Sequence, residues 1–170
     1  MFGFKSRRQK DLDKIADTIG TALHSQIKKA NDVMKESGEL DQYLERINGP
    51  FTGGYLYSFV ANFFSNYTTS KDDVLKQSKE IFNEILSGEG AELVKARLNE
   101  RLLAEDMSRE HAEDISWEHD REIYEMQFNL GVVSAEEDVH DFISNNRKMP
   151  TKLTEFLLHG KLASDSEKTE

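Results

Sequence analysis

The sequence predicts an all-α fold: a compact bundle of seven or eight helices around one central aromatic helix. Three observations carry this expectation. Apolar residues recur at three-four spacing along most of the 170-residue chain. No stretch of any length alternates with the period of two that a half-buried strand needs. Only 2 prolines and 10 glycines interrupt the pattern. A hydrophobic fraction of 37% suffices for one core. Residues 11–160 are therefore expected to form a single domain, with a basic flexible leader over 1–10 and a polar tail over 161–170.

Leu12, Ile15, Ala16, Ile19, Leu23, Ile27, Ala30 and Met34 share one face of a helix over 11–37, which Gly38 stops. Leu40, Tyr43, Leu44 and Ile47 make a short second helix, ended by the turn Asn48-Gly49-Pro50. Pro50 then sits at the first turn of a third helix, where a missing N–H costs nothing.

That third helix, over 51–67, is the most apolar stretch. Phe51, Tyr55, Leu56, Tyr57, Phe59, Val60, Phe63, Phe64 and Tyr67 cover most of its circumference. Gly54, Ser58, Asn62 and Ser65 form one line of small or polar residues along which a neighbouring helix can approach closely. A helix apolar nearly all round is either the centre of a bundle or half of an interface. Gly54, Tyr55, Tyr57, Ser58 and Tyr67 are therefore candidate interaction residues, tyrosine being favoured at interfaces.

Ser70 is a plausible N-cap for a fourth helix carrying Val74, Leu75, Ile81, Phe82, Ile85 and Leu86, which Ser87 and Gly88 end. Residues 91–130 read as helical throughout, but the phase slips. Val94, Leu98 and Leu102 define one face; Ala112, Ile115, Ile123, Met126 and Leu130 define another. The rotation between them is about 100° at 3.6 residues per turn. A kink or break near 105–108 reconciles the two, with Asp106 or Ser108 as the new cap. Gly131 is expected to end this region. Ser134-Ala135-Glu136-Glu137 then matches a capping box and opens a helix through Val139, Phe142 and Ile143. The last helix starts at Pro150 or Thr151 and carries Leu153, Phe156 and Leu157.

The net charge of −10 is concentrated. Segment 105–141 holds 13 acids against Arg109 and Arg121, a balance of −11, and the remainder sums to +1. Such a run is either a solvated face or a docking surface for a basic partner, with Glu113, Asp120 and Glu125 as its exposed representatives. Direct nucleic-acid binding is not expected, because only the leader is basic and the acidic body repels phosphates. Phe2, Phe4, Lys5, Arg7, Arg8 and Lys10 allow at most weak peripheral membrane contact.

Catalytic constellations fail one by one. Gly88-Glu89-Gly90-Ala91-Glu92-Leu93 has Leu where a dinucleotide fingerprint needs its third glycine, and no phosphate-loop lysine follows. No Gly-x-Ser-x-Gly elbow exists, and with no cysteine there is neither a thiolate ligand nor a cysteine nucleophile. The sharpest enzymatic alternative is a carboxylate and histidine metal site of the di-iron-bundle kind. Glu137 and His140 have the Glu-x-x-His spacing, and His111, Glu118, His119 and Glu122 fall on neighbouring turns. Only one Glu-x-x-His exists where such a bundle needs two, so no cofactor is expected. A second alternative is a bundle that senses an apolar ligand in a pocket lined by Tyr55, Phe59 and Phe63.

The basic opening lacks the apolar run of roughly 7–15 residues that a secretory signal carries, and Phe2 excludes N-myristoylation. The opening Met1-Phe2-Gly3-Phe4-Lys5, with the segment from Gly54 to Phe59, resembles small bacterial proteins and implies no activity. The expectation is a cytoplasmic, non-catalytic helical protein that binds another protein, or itself as a homodimer.

Overall fold

The structure is a computed structural model, and it describes residues 6–106, 121–144 and 149–162. Among them are seven helices and no strand: α1 (Arg7–Ser37), α2 (Leu40–Ile47), α3 (Pro50–Ser65), α4 (Lys71–Ile85), α5 (Glu92–Asp106), α6 (Arg121–Ser144) and α7 (Lys152–His159). They pack as an all-α bundle with α3 at its centre, and no described helix is long and apolar enough to cross a membrane.

α1 starts at Arg7, earlier than its apolar stripe predicts, because polar contacts extend it. Ser6 Oγ accepts the Gln9 N–H at 3.2 Å, and Arg8 reaches Asp73 on α4 at 2.8 Å. Residues 7–10, read as part of a basic leader, are thus helical. Gly38 closes α1 in the left-handed conformation, φ 77°, with its N–H on Lys35 O. At the far end, Leu162 is buried in the core, although the sequence places it in a polar tail.

α3 is buried on nearly every side, as an apolar circumference requires. Its rings at i, i+4 spacing form a ladder. Phe51, Tyr55, Phe59, Phe63 and Tyr67 stack in succession, with centroids 5.7–6.3 Å apart and planes within 26°. Phe156 of α7 extends the stack at 3.9 Å from Phe51. Offset stacking of this kind adds roughly 0.5–1.5 kcal/mol per pair beyond area burial. Of the five rungs from Phe51 to Tyr67, only Tyr67 is exposed.

The tightest packing joins α3 to α6. A Cβ on Gly54 would lie 2.0 Å from Phe128 O, and one on Gly131 would lie 2.1 Å from Phe51 O. Two backbones touch there because both residues lack a side chain. Farther along, Ser58 donates to Val132 O at 3.2 Å and Phe63 meets Phe142 at 5.7 Å. Numbering rises together on both helices, so α3 and α6 run parallel. Ser65 lies on the same line as Gly54 but is exposed.

Gly131 therefore does not end a helix, and Ser134 does not begin one. α6 is continuous from Arg121 to Ser144, and the Ser134 hydroxyl bonds back to Leu130 O at 2.8 Å instead of capping. The Ile123, Met126 and Leu130 face is not the face that meets α3. Phe128, Gly131, Ala135, Val139 and the half-buried Phe142 occupy that side. The kink or break expected near 105–108 falls at the edge of the described residues: α5 is described to Asp106, and 107–108 lie outside them.

Short helices are held at their ends by distant side chains. Asn48 Oδ1 accepts the N–H groups of Leu93 and Val94 at 3.1 and 3.2 Å, satisfying donors at the start of α5. Arg46 donates to Leu157 O and Leu158 O at 3.0 and 2.7 Å, closing the last turn of α7.

Candidate functional site

Two features of α6 compete as the functional site. They lie on different sides of the helix.

The inner one is a buried polar network. Asp138 Oδ2 accepts the Tyr55 hydroxyl at 2.5 Å and the Lys152 backbone N–H at 3.1 Å. Gln26 Nε2 lies 3.4 Å from the Tyr55 oxygen, and its Oε1 accepts the Thr154 N–H at 3.4 Å. Four helices, α1, α3, α6 and α7, meet in this chain. Burial pushes the Asp138 carboxyl above its ordinary value, against the Tyr55 and backbone hydrogen bonds that pull it down. Burial first, then the Asp138 charge, holds the Tyr55 phenol well above its own. The proton stays on Tyr55. An acid paired with a phenol resembles acid–base machinery, but Tyr55 is fully buried. Its geometry is that of a clamp. Asp138 supplies from α6 the acceptor that Thr151, the N-cap of α7, does not.

The outer feature is a stripe of large apolar side chains. Ile123, Met126, Leu130 and Val133 repeat at three-four-three spacing and are 57%, 65%, 46% and 51% exposed. That spacing is the seam of paired helices. α6 is thus apolar on two opposite sides, one packed on α3 and one turned outward among the described residues. Glu125, Gln127, Asn129 and Glu136 are the exposed polar residues beside the stripe. Elsewhere on α6, Tyr124 stacks on Phe128 and Phe128 meets Tyr57 of α3, with Arg97 5.4 Å from the Tyr124 ring and Arg101 4.5 and 4.7 Å from the Phe128 and Tyr57 rings.

The residues singled out in the sequence fall in different places. Gly54 and Ser58 lie in the α3–α6 contact, Tyr55 in the buried network, and Tyr57 half-buried beside Phe128. Tyr67 is exposed, stacked on Phe63, and lines an open cleft of about 690 Å³ with Arg7, Arg8, Asp11, Leu12, Lys14 and Ile15. Glu125 is exposed on α6. Glu137 and His140 share a second open cleft of about 520 Å³ with Glu136, Asp141 and Lys152. There the Glu137 carboxylate pairs with Lys152, while His140 Nδ1 lies 3.7 Å from Asp141. Among the described residues no three acid or histidine side chains converge as a metal set. His111, Glu113, Glu118, His119 and Asp120 lie outside the described residues, as does the side chain of Glu122. Tyr55, Phe59 and Phe63, considered as a ligand pocket, fill their space with one another.

Sequence reasoning passed over Gln26, Asp138, Thr154, Arg46 and Asn48. A signal existed for two of them. Gln26 and Asp138 occupy stripe positions, three residues after Leu23 and Ala135, where a polar residue must find buried partners. Comparison with protein-family models, with curated proteins and with solved structures finds no match to this chain, so its functional reading rests on the geometry of α6.

Proposed function

We propose that this chain is a non-catalytic helical protein that acts by protein–protein interaction, with the outer face of α6 as its docking face. The observation that carries the reading is the exposure of Ile123, Met126, Leu130 and Val133, each near half or above, in one row. Single exposed hydrophobics are ordinary on any surface; a row at helix-pairing spacing is not. The buried polar groups favour the same reading, because Tyr55, Asp138, Gln26 and Thr154 satisfy one another away from solvent.

A photo-crosslinking residue at position 126, introduced in the native host, tests it. The reading expects covalent adducts with a protein at 126 and none at 24, where His24 lies exposed on α1. Equal labelling at both positions, or none at 126, would remove α6 as the docking face.

A further inference from the structure

We infer that the occupant of the outer face of α6 is a basic amphipathic helix of another protein. This rests on the reading of α6 as a docking face and adds the chemistry of what docks. The first ground is shape. From Ile123 to Val133 the row rises about 15 Å at 1.5 Å per residue, and it is one side chain wide. A row of that form matches the apolar seam of a single helix, read at i, i+3 and i+7, and offers little to a flat surface.

The second ground is charge. Glu125 and Glu136 stand on one flank of the row with the neutral Asn129 between them, and Gln127 stands on the other flank. Among the described side chains of α6, residues 123–144, there are five acids and no lysine or arginine. A helix with leucine-like residues on one side and lysine or arginine on the other satisfies the row and its rim together. Long-range attraction then speeds its arrival.

The third ground disfavours a second copy of this chain. Four half-exposed side chains present on the order of 400 Å², about half of the roughly 800 Å² per partner that a stable interface buries. Self-pairing also brings two identical acidic rims together on molecules of net charge −10. A small area with strong charge complementarity suits a transient complex of micromolar affinity.

The test uses the full-length protein and a fluorescent 14-residue probe with leucines at the heptad seam and lysines elsewhere. An isomer of the same composition, with its leucines scattered around the helix, serves as one control. A glutamate-for-lysine counterpart serves as another. The amphipathic lysine probe is expected to bind at least tenfold more tightly than either control. Replacing Met126→Ser together with Leu130→Ser is expected to cost at least tenfold with an unchanged melting temperature. Glu136→Gln is expected to weaken binding a fewfold at low salt and not at 0.5 M salt. Equal binding of the scattered isomer, or of the glutamate probe, overturns the proposal. A dimer in sedimentation that Met126→Ser/Leu130→Ser abolishes also overturns it by making a second copy the occupant, and leaves the docking face standing. Failure of every probe, with a monomer at all concentrations and no adduct at position 126, overturns both.

Discussion

Gly20, Gly54 and Gly131 are all helical glycines, and the same substitution acts on them in opposite directions. In a helix interior alanine is favoured over glycine by about 0.8–1.0 kcal/mol. Around Gly20 a Cβ meets nothing within 4 Å, so Gly20→Ala is expected to raise stability by about that amount. At Gly54 and Gly131 a Cβ would fall about 2 Å from a carbonyl oxygen of the facing helix. Forcing α3 and α6 apart is expected to cost about 1–3 kcal/mol, as overpacking does, despite the gain in propensity. Urea unfolding of the three variants checks both signs. Asp138 gives a second expectation. Its carboxyl is pushed up by burial, so the folded state takes its proton more readily than the unfolded chain does. The stability this group contributes is present below the ordinary value of 3.8 and is lost as pH rises through the folded value. Asp138→Asn is expected to flatten that slope, whereas Asp138→Ala leaves buried donors on Tyr55 and Lys152 and costs about 1–3 kcal/mol at every pH. Melting curves from pH 4 to 7 for the three proteins separate these outcomes. The Gly54–Ser58 line was readable in the sequence because small residues at i, i+4 have one structural use inside an apolar helix. Gly131 was not, since the letter that marks a helix stop also marks a place where a Cβ cannot fit.

At the scale of the element, α6 explains why its own packing was hard to read. Its outward stripe consists of Ile, Met, Leu and Val, whereas its packed side includes Gly131, Ser134, Ala135 and Asp138. Apolar spacing alone therefore points to the wrong side. Close approach favours small residues over greasy ones, and that inverts the usual signal. The two sides should respond differently. Phe128→Ala is expected to cost about 3–5 kcal/mol, and Met126→Ala to stay within about 0.5 kcal/mol. α7 poses the complementary case, since eight residues are too few for a helix to persist alone in water. Its ends are bonded by Asp138 and Arg46. Arg46→Met keeps the apolar stem and removes the donors, and is expected to cost about 1.5–3 kcal/mol. Faster amide exchange confined to 152–160 would show that α7 has frayed; unchanged protection there would mean that burial of Leu153 and Leu157 suffices.

For the whole molecule, the all-α class and the central place of the aromatic helix followed from periodicity, because burying α3 needs neighbours on every side. The pairing of helices did not follow. Which face meets which partner was decided by two glycines and by hydrogen bonds across 83 and 128 residues of sequence, which no local pattern encodes. α3 touches α1, α2, α4, α5 and α6 directly and α7 through Phe156, so no helix has a core of its own. Far-ultraviolet helicity and the near-ultraviolet signal of Tyr43 and Tyr55 are therefore expected to vanish in one coincident transition. Separate midpoints would mean that part of the bundle stands without α3.

The parallel pairing of α3 with α6 also bears on how the chain is made. Ser144 follows Ser65 by 79 residues, so the most apolar helix leaves the ribosome well before its main partner is complete. At about 5–20 residues per second the delay is roughly 4–16 s. Through that interval the side of α3 that carries Gly54 and Ser58 has only α1, α2 and later α4 and α5 beside it. A nascent chain held with residues up to 106 outside the ribosome is thus expected to recruit a holding chaperone, and one held by a C-terminal extension with residue 162 outside to release it.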